Sequence, residues 1–136
     1  MKVLFICTGC VNRSAAAHVI LSFHNTGLYK VDSCGTSKQA VDRSRMAPKM
    51  RRVLAEMGYS GEQHIAQPYS QDLLDWADQV ICMSHLHVDR INKNFSVDPL
   101  KVRNWNVEDP FRHKGEEVHR AVAQQIKELV FHHFLS

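Results

Sequence analysis

The segment Lys2-Val3-Leu4-Phe5-Ile6-Cys7, followed by Thr8-Gly9-Cys10-Val11-Asn12-Arg13-Ser14, decides how the chain is read. Its first part is apolar without alternation, the pattern of a strand buried on both faces of a parallel sheet. Thr8-Gly9 ends the run. Ser14 to His24 then carries three alanines and Val19, Ile20, Leu21 and Phe23, which reads as a helix. A strand, a short loop and a helix in succession predict one half of a β-α-β unit.

The pattern repeats along the chain. Tyr29 to Cys34 is β-rich and stops at Gly35. Ala47 to Met57 has near-helical apolar spacing and ends at Gly58, a helix-terminating residue. Ser70 can cap a short helix through Trp76. Gln79 to Met83 reads as a third strand, His85 to Asn94 as a helix and Lys101 to Trp105 as a weak fourth strand. The last helix is expected from about Glu116 to Phe134, with Val118, Val122, Ile126, Leu129 and Val130 on one face and packed on the sheet. Strands alternating with helices predict an α/β fold, a parallel sheet covered on both sides. Ligands of such sheets bind beyond the carboxyl ends of the strands, where Cys7 stands.

The 136 residues suit a single domain spanning 1–136, and 44% hydrophobic with 23% charged residues excludes a disordered chain. A net charge of +3 is mild. The basic clusters Arg43-Ser44-Arg45 and Lys49-Met50-Arg51-Arg52 read as solvated faces, so no nucleic-acid partner is expected. No apolar stretch approaches a membrane span, and the opening run is too short for a secretory leader. A cytoplasmic protein is expected, with Cys7, Cys10, Cys34 and Cys82 as thiols.

The loop between the first strand and helix carries the chemistry. Backbone N–H groups converge at such a turn, and the helix dipole favours an anion there. A cysteine opening the loop gains thiolate character from the same field. Five residues further on, Arg13 offers a planar guanidinium that can hold two oxygens of a phosphate. The Ser14 hydroxyl can donate to the thiolate. A nucleophile inside an anion cradle is what attack on a phosphate ester requires.

Cys7-Thr8-Gly9-Cys10-Val11-Asn12-Arg13-Ser14 resembles the phosphate loop of the low-molecular-weight protein-tyrosine-phosphatase family, which also includes thioredoxin-coupled arsenate reductases and arginine phosphatases. Val31-Asp32-Ser33-Cys34-Gly35-Thr36 is similar to the family's second strand, His64-Ile65-Ala66 to its His-x-Ala segment and Ala77 to Met83 to its third strand. Asp109-Pro110-Phe111 matches its acid loop. The resemblance implies a four-stranded parallel sheet of order 2-1-3-4 with helices on both faces. It implies hydrolysis of a phosphomonoester through a cysteinyl-phosphate, without metal or cofactor. Cys7 would be the nucleophile, Arg13 the clamp and Asp109 the general acid, with Glu108 as a possible substitute for it. Thr8, Gly9, Cys10, Val11, Asn12, Arg13 and Ser14 would form the phosphate cradle. A phosphorylated protein or small phosphomonoester is the implied partner, with phosphotyrosine first.

The loop also departs from the family pattern. The asparagine that braces its strained backbone falls at Cys10, and the second, protective cysteine falls at Asn12. Ala15 and His18 replace a proline and a glutamate, and the aromatic wall of the tyrosine pocket falls near Gln39. Val11 stands where the arginine phosphatases carry threonine, which removes a hydrogen bond to a guanidinium. Two consequences are open: a reversible Cys7–Cys10 disulfide with Cys10 as redox partner, or bracing by Asn12 from its new position.

Other readings compete. Cys7-x-x-Cys10 could be a thioredoxin-like redox pair, but such a protein has no need of Arg13-Ser14 or Asp109-Pro110. An arsenate reductase needs two further cysteines after the third strand, where Cys82 stands alone. An inactive phosphate-binding module would not need Cys7, Arg13 and Asp109 together. His85-x-His87 and His132-His133 lack the helical spacing and further ligands of a metal site.

Overall fold

A computed structural model describes residues 1–110 and 114–135. Lys2–Cys7 forms the first strand, β1. It pairs in parallel with β2, Lys30–Gly35, on one side and with β3, Gln79–Cys82, on the other. Val102–Asn104 adds β4 beyond β3, giving the order β2-β1-β3-β4. The 2-1-3-4 sheet expected from the resemblance is therefore present, although β4 is shorter than the Lys101–Trp105 segment and β2 begins one residue late.

The unbroken apolar run of β1 is explained by its central place. Val3, Phe5 and Cys7 enter one core layer, and Leu4 and Ile6 enter the other. All of these but Cys7 are completely buried, which for each of the larger side chains is worth about 1.5–3 kcal/mol. Helices α1 (Arg13–His24), α3 (Pro48–Glu56) and α6 (Glu116–Val130) cover the first layer. Helices α4 (Gln71–Trp76) and α5 (His85–Asn94) supply Leu74 and Ile91 to the second. The short helix α2, Lys38–Val41, lies beyond β2 and was not evident in the sequence. Four residues are too few to display a period.

The last helix corrects one expectation. Its buried side is His119, Val122, Ala123, Ile126 and Val130, while Val118 and Leu129 are only half-buried. It packs along α1 and α3, reaching the Phe5 layer between them. His119 can occupy this face because its Nδ1 lies 2.8 Å from the Gly115 carbonyl oxygen. The α-helical turn stops at Val130, and Phe131–Leu135 continues as a wider turn that brings Phe134 onto Phe5 and Tyr29.

Candidate active site

Cys7 is the last residue of β1, so the following loop leaves the sheet at its carboxyl edge and turns into α1. The Thr8 carbonyl accepts the N–H groups of Thr36 and Ser37 at 2.8 and 2.9 Å, and the Val11 carbonyl accepts Ala47 N–H at 2.9 Å. With the carbonyls tied outward, the N–H groups of Gly9, Cys10, Val11 and Asn12 find no acceptor among the described residues. Asn12 precedes α1 without a side-chain cap, leaving the first-turn donors open. This is the electrostatic form of an anion cradle.

Two glycines permit the fold of the loop. A Cβ on Gly35 would stand 2.7 Å from the Thr8 carbonyl oxygen and 2.9 Å from Cys10 N, because the loop crosses β2 there. Gly9 lies beneath the Gln39 side chain, which would strike a Cβ at that position.

Cys7 Sγ lies 2.9 Å from Ser14 Oγ. Arg13 is 4% exposed and its guanidinium is held from two directions. Nη1 donates to the Val107 carbonyl at 3.1 Å and Nη2 to Thr8 Oγ1 at 3.3 Å, while buried Nε has no acceptor among the described residues. Nη2 also lies 3.7 Å from Asp109 Oδ2. The route that brings Asp109 there is visible: beyond β4, Trp105 and Val107 donate to Cys82 and Met83, and Asn106 makes the turn at φ 53°. Cys7, Thr8, Gly9, Val11, Asn12, Arg13 and Asp109 thus share a cavity of about 390 Å³, with Ser37, Lys38, Gln39 and Ala47 on its rim. Phe111 lies outside the described residues. An arrangement of this kind presents a sulfur, a bidentate cation and a carboxyl to one tetrahedral anion.

A family model for low molecular weight phosphotyrosine protein phosphatase matches residues 2–135. The chain belongs to this family. A protein-arginine-phosphatase of Geobacillus stearothermophilus is 27% identical over 138 residues, covering 95% of this chain and 90% of that protein. The solved structure of the YwlE arginine phosphatase from the same organism superposes with a TM-score of 0.84 at 26% identity, covering 95% and 87% of the two chains. The low molecular weight protein tyrosine phosphatase of T. tengcongensis shares the fold, with a TM-score of 0.86 at 24% identity over 96% and 95%. Family membership makes this chain a cysteine-dependent phosphatase.

The structure also shows what the exchanged loop residues do. Cys10 has taken the left-handed backbone conformation, φ 58°, that asparagine tolerates better than cysteine. Its side chain is wholly buried behind the cradle, with Sγ 4.0 Å from His64 Nε2. Burial pushes its pKa up to about 11, and the charge of Cys7 adds to the rise. Cys10 is therefore a protonated thiol here. Asn12 does not take over the bracing: its Oδ1 is buried without a partner among the described residues. A polar group that the sequence pattern does not reveal lies behind Cys10. Ser33 Oγ lies 2.7 Å from His18 Nδ1 and 2.8 Å from His64 Nε2, joining α1, β2 and the His64 loop behind Cys10. Burial holds both histidines below their usual pKa, His64 at about 4 with the nearby His18 contributing.

Cys34 and Cys82 are buried strand thiols whose pKa values burial raises, Cys82 to about 12. His85 is exposed while His87 is buried, so that pair diverges rather than forming a ligand set. The basic clusters lie largely on the surface, where Arg52 pairs with Glu116 at 2.6 Å and Arg51 with Glu62 at 3.8 Å. Among the described residues no helix is long and apolar enough to cross a membrane.

Proposed function

We propose that this chain hydrolyses phosphomonoesters of protein side chains, phosphotyrosine first, with Cys7 as nucleophile. The observation that carries the reading is the convergence of Cys7, Arg13 and Asp109 on one cavity around unpaired loop donors. Cys7 Sγ attacks phosphorus in line with the leaving oxygen. Arg13 and the N–H groups of the loop hold the three remaining oxygens and their growing charge. Asp109 gives its proton to the departing phenol oxygen, leaving phosphate on sulfur. Water then attacks phosphorus, Asp109 takes its proton, and the Cys7–phosphorus bond breaks to return the thiolate. Ser14, 2.9 Å from Sγ, donates to the thiolate as leaving group in this second step.

An aromatic substrate is supported by the walls. Val11 and Ala47 present aliphatic surface at the cavity, and Val11 offers no hydrogen bond to a guanidinium. Gln39 stands at the rim in place of an aromatic wall, so the ring is held by fewer contacts. Phosphoarginine is the second reading, favoured by the arginine-phosphatase relatives and by Asp109, which can accept from a guanidinium.

Side-by-side hydrolysis of phosphotyrosine, phosphoarginine and phosphoserine peptides tests the choice. A higher kcat/KM for phosphotyrosine is expected, and a clear preference for either other peptide rejects it. Cys7→Ser should abolish turnover of an aryl phosphate. Full activity in that variant would reject the mechanism as a whole.

A further inference from the structure

Thr8 is the loop residue whose side chain is exposed beside the nucleophile, at the wall of the cavity. Its Oγ1 has two acceptor lone pairs and one hydrogen. Where that hydrogen points is decided by its neighbours.

One neighbour is His87, 1% exposed in the first turn of α5. The backbone N–H of Ser84 reaches His87 Nδ1 at 3.0 Å. A backbone N–H can only donate, so Nδ1 is the unprotonated nitrogen and the ring hydrogen sits on Nε2. Nε2 lies 3.0 Å from Thr8 Oγ1, and His87 is therefore the donor in that bond. Burial, with Arg13, Arg90 and His85 adding repulsion, lowers the His87 pKa to about 4 and keeps the ring neutral. The other neighbour is Arg13, whose Nη2 is 3.3 Å from the same oxygen and likewise can only donate. Two donors fill both lone pairs. The hydroxyl hydrogen is left without an acceptor among the described residues, and Thr8 lines the cavity.

We infer that the Thr8 hydroxyl donates to a phosphoryl oxygen of the substrate, and that His87 is a positioning residue that fixes its direction. The inference rests on the phosphatase reading of this site and adds a side-chain donor to the backbone cradle. His87 acts only through Thr8. Lying in the first turn of α5, it also ties the loop to the element that follows β3.

The test uses inorganic phosphate as the probe, so binding is read apart from turnover. Thr8→Val keeps the shape and removes the hydroxyl, and Thr8→Ser restores it. Thr8→Val should weaken phosphate binding and lower kcat/KM for an aryl phosphate by roughly 10- to 100-fold, the scale of one hydrogen bond to a charged group. Thr8→Ser should recover most of both. His87→Leu should lower phosphate affinity in the parent but add little in the Thr8→Val background, because its effect passes through the hydroxyl. Unchanged phosphate affinity in Thr8→Val, or equal losses from His87→Leu in both backgrounds, overturns the inference. If His87→Leu does not fold, the Thr8→Val and Thr8→Ser pair decides alone. Activity surviving in Cys7→Ser would instead defeat the phosphatase reading, leaving the phosphate-binding comparison between the Thr8 variants intact.

Discussion

Lowering the pH from 7 to 5 should weaken the fold through His87 more than through any exposed histidine. The ring is buried, faces the cations Arg13 and Arg90 and the neighbouring His85, and has its pKa lowered to about 4. In the unfolded chain it titrates near 6.5. The unfolded state therefore binds a proton that the native state refuses, and stability falls as pH drops from about 6.5 to about 4. Above that window the full contribution is present, and below it both states are protonated. Integrating the two titrations gives a loss of about 2 kcal/mol between pH 7 and pH 5. That is a large part of a total stability of about 5–15 kcal/mol. His64, also at about 4, acts in the same direction. Replacing His87 by Gln removes the titration and keeps an acceptor for Ser84 N–H at the third helical position, as in a capping box. Urea unfolding of both proteins at pH 7 and pH 5 reads the effect. The parent should lose about 2 kcal/mol more than the variant across that interval. Equal pH dependence would refute the argument, because it would mean that His87 binds its proton equally in both states.

Three further outcomes follow from the site. Asp109→Asn should slow hydrolysis of a poor leaving group by ~10²–10⁴, with a smaller loss for a phenol that departs as an anion; equal losses for both would remove Asp109 as the acid. Cys10→Asn should raise the urea midpoint by the equivalent of about 1 kcal/mol, since Asn tolerates the left-handed φ of 58° better and can bond to Ser33 and His64; a lower midpoint would show that packing of the buried thiol outweighs backbone strain there. Gly35→Ala should destabilise the protein by about 1–3 kcal/mol and weaken phosphate binding, because the added Cβ meets backbone rather than a flexible side chain. A neutral result would mean that the loop can move away from β2 at little cost.

The parts legible in the sequence were those set by contiguous residues. β1, the cradle and α1 lie in one stretch, and both the double-faced burial of β1 and the closeness of Arg13 to Cys7 follow from it. The position of Asp109 was not legible from local pattern, because it depends on β4 pairing with β3 and on the turn at Asn106. Only the family resemblance brought it to the loop. His87 and the His18–Ser33–His64 group were missed for a related reason. Each histidine belongs to a different element, and its role is fixed by a partner far away in sequence: Thr8 for His87, Ser33 for the other two. The last helix failed on rotation. Apolar residues alone select Val118 and Leu129, but buried His119 and Ala123 set the packed face, and neither is strongly apolar.

The central claim is that a phosphoryl group passes through the Cys7 sulfur. Rapid acid quench of Asp109→Asn during turnover of an aryl phosphate, followed by peptide mass spectrometry, tests it most directly. The account predicts phosphate on the Cys7 peptide, bound through sulfur and lost in Cys7→Ala together with turnover. Turnover without a covalent phosphoryl-enzyme, or with the group on another residue while Cys7→Ala stays active, would contradict it.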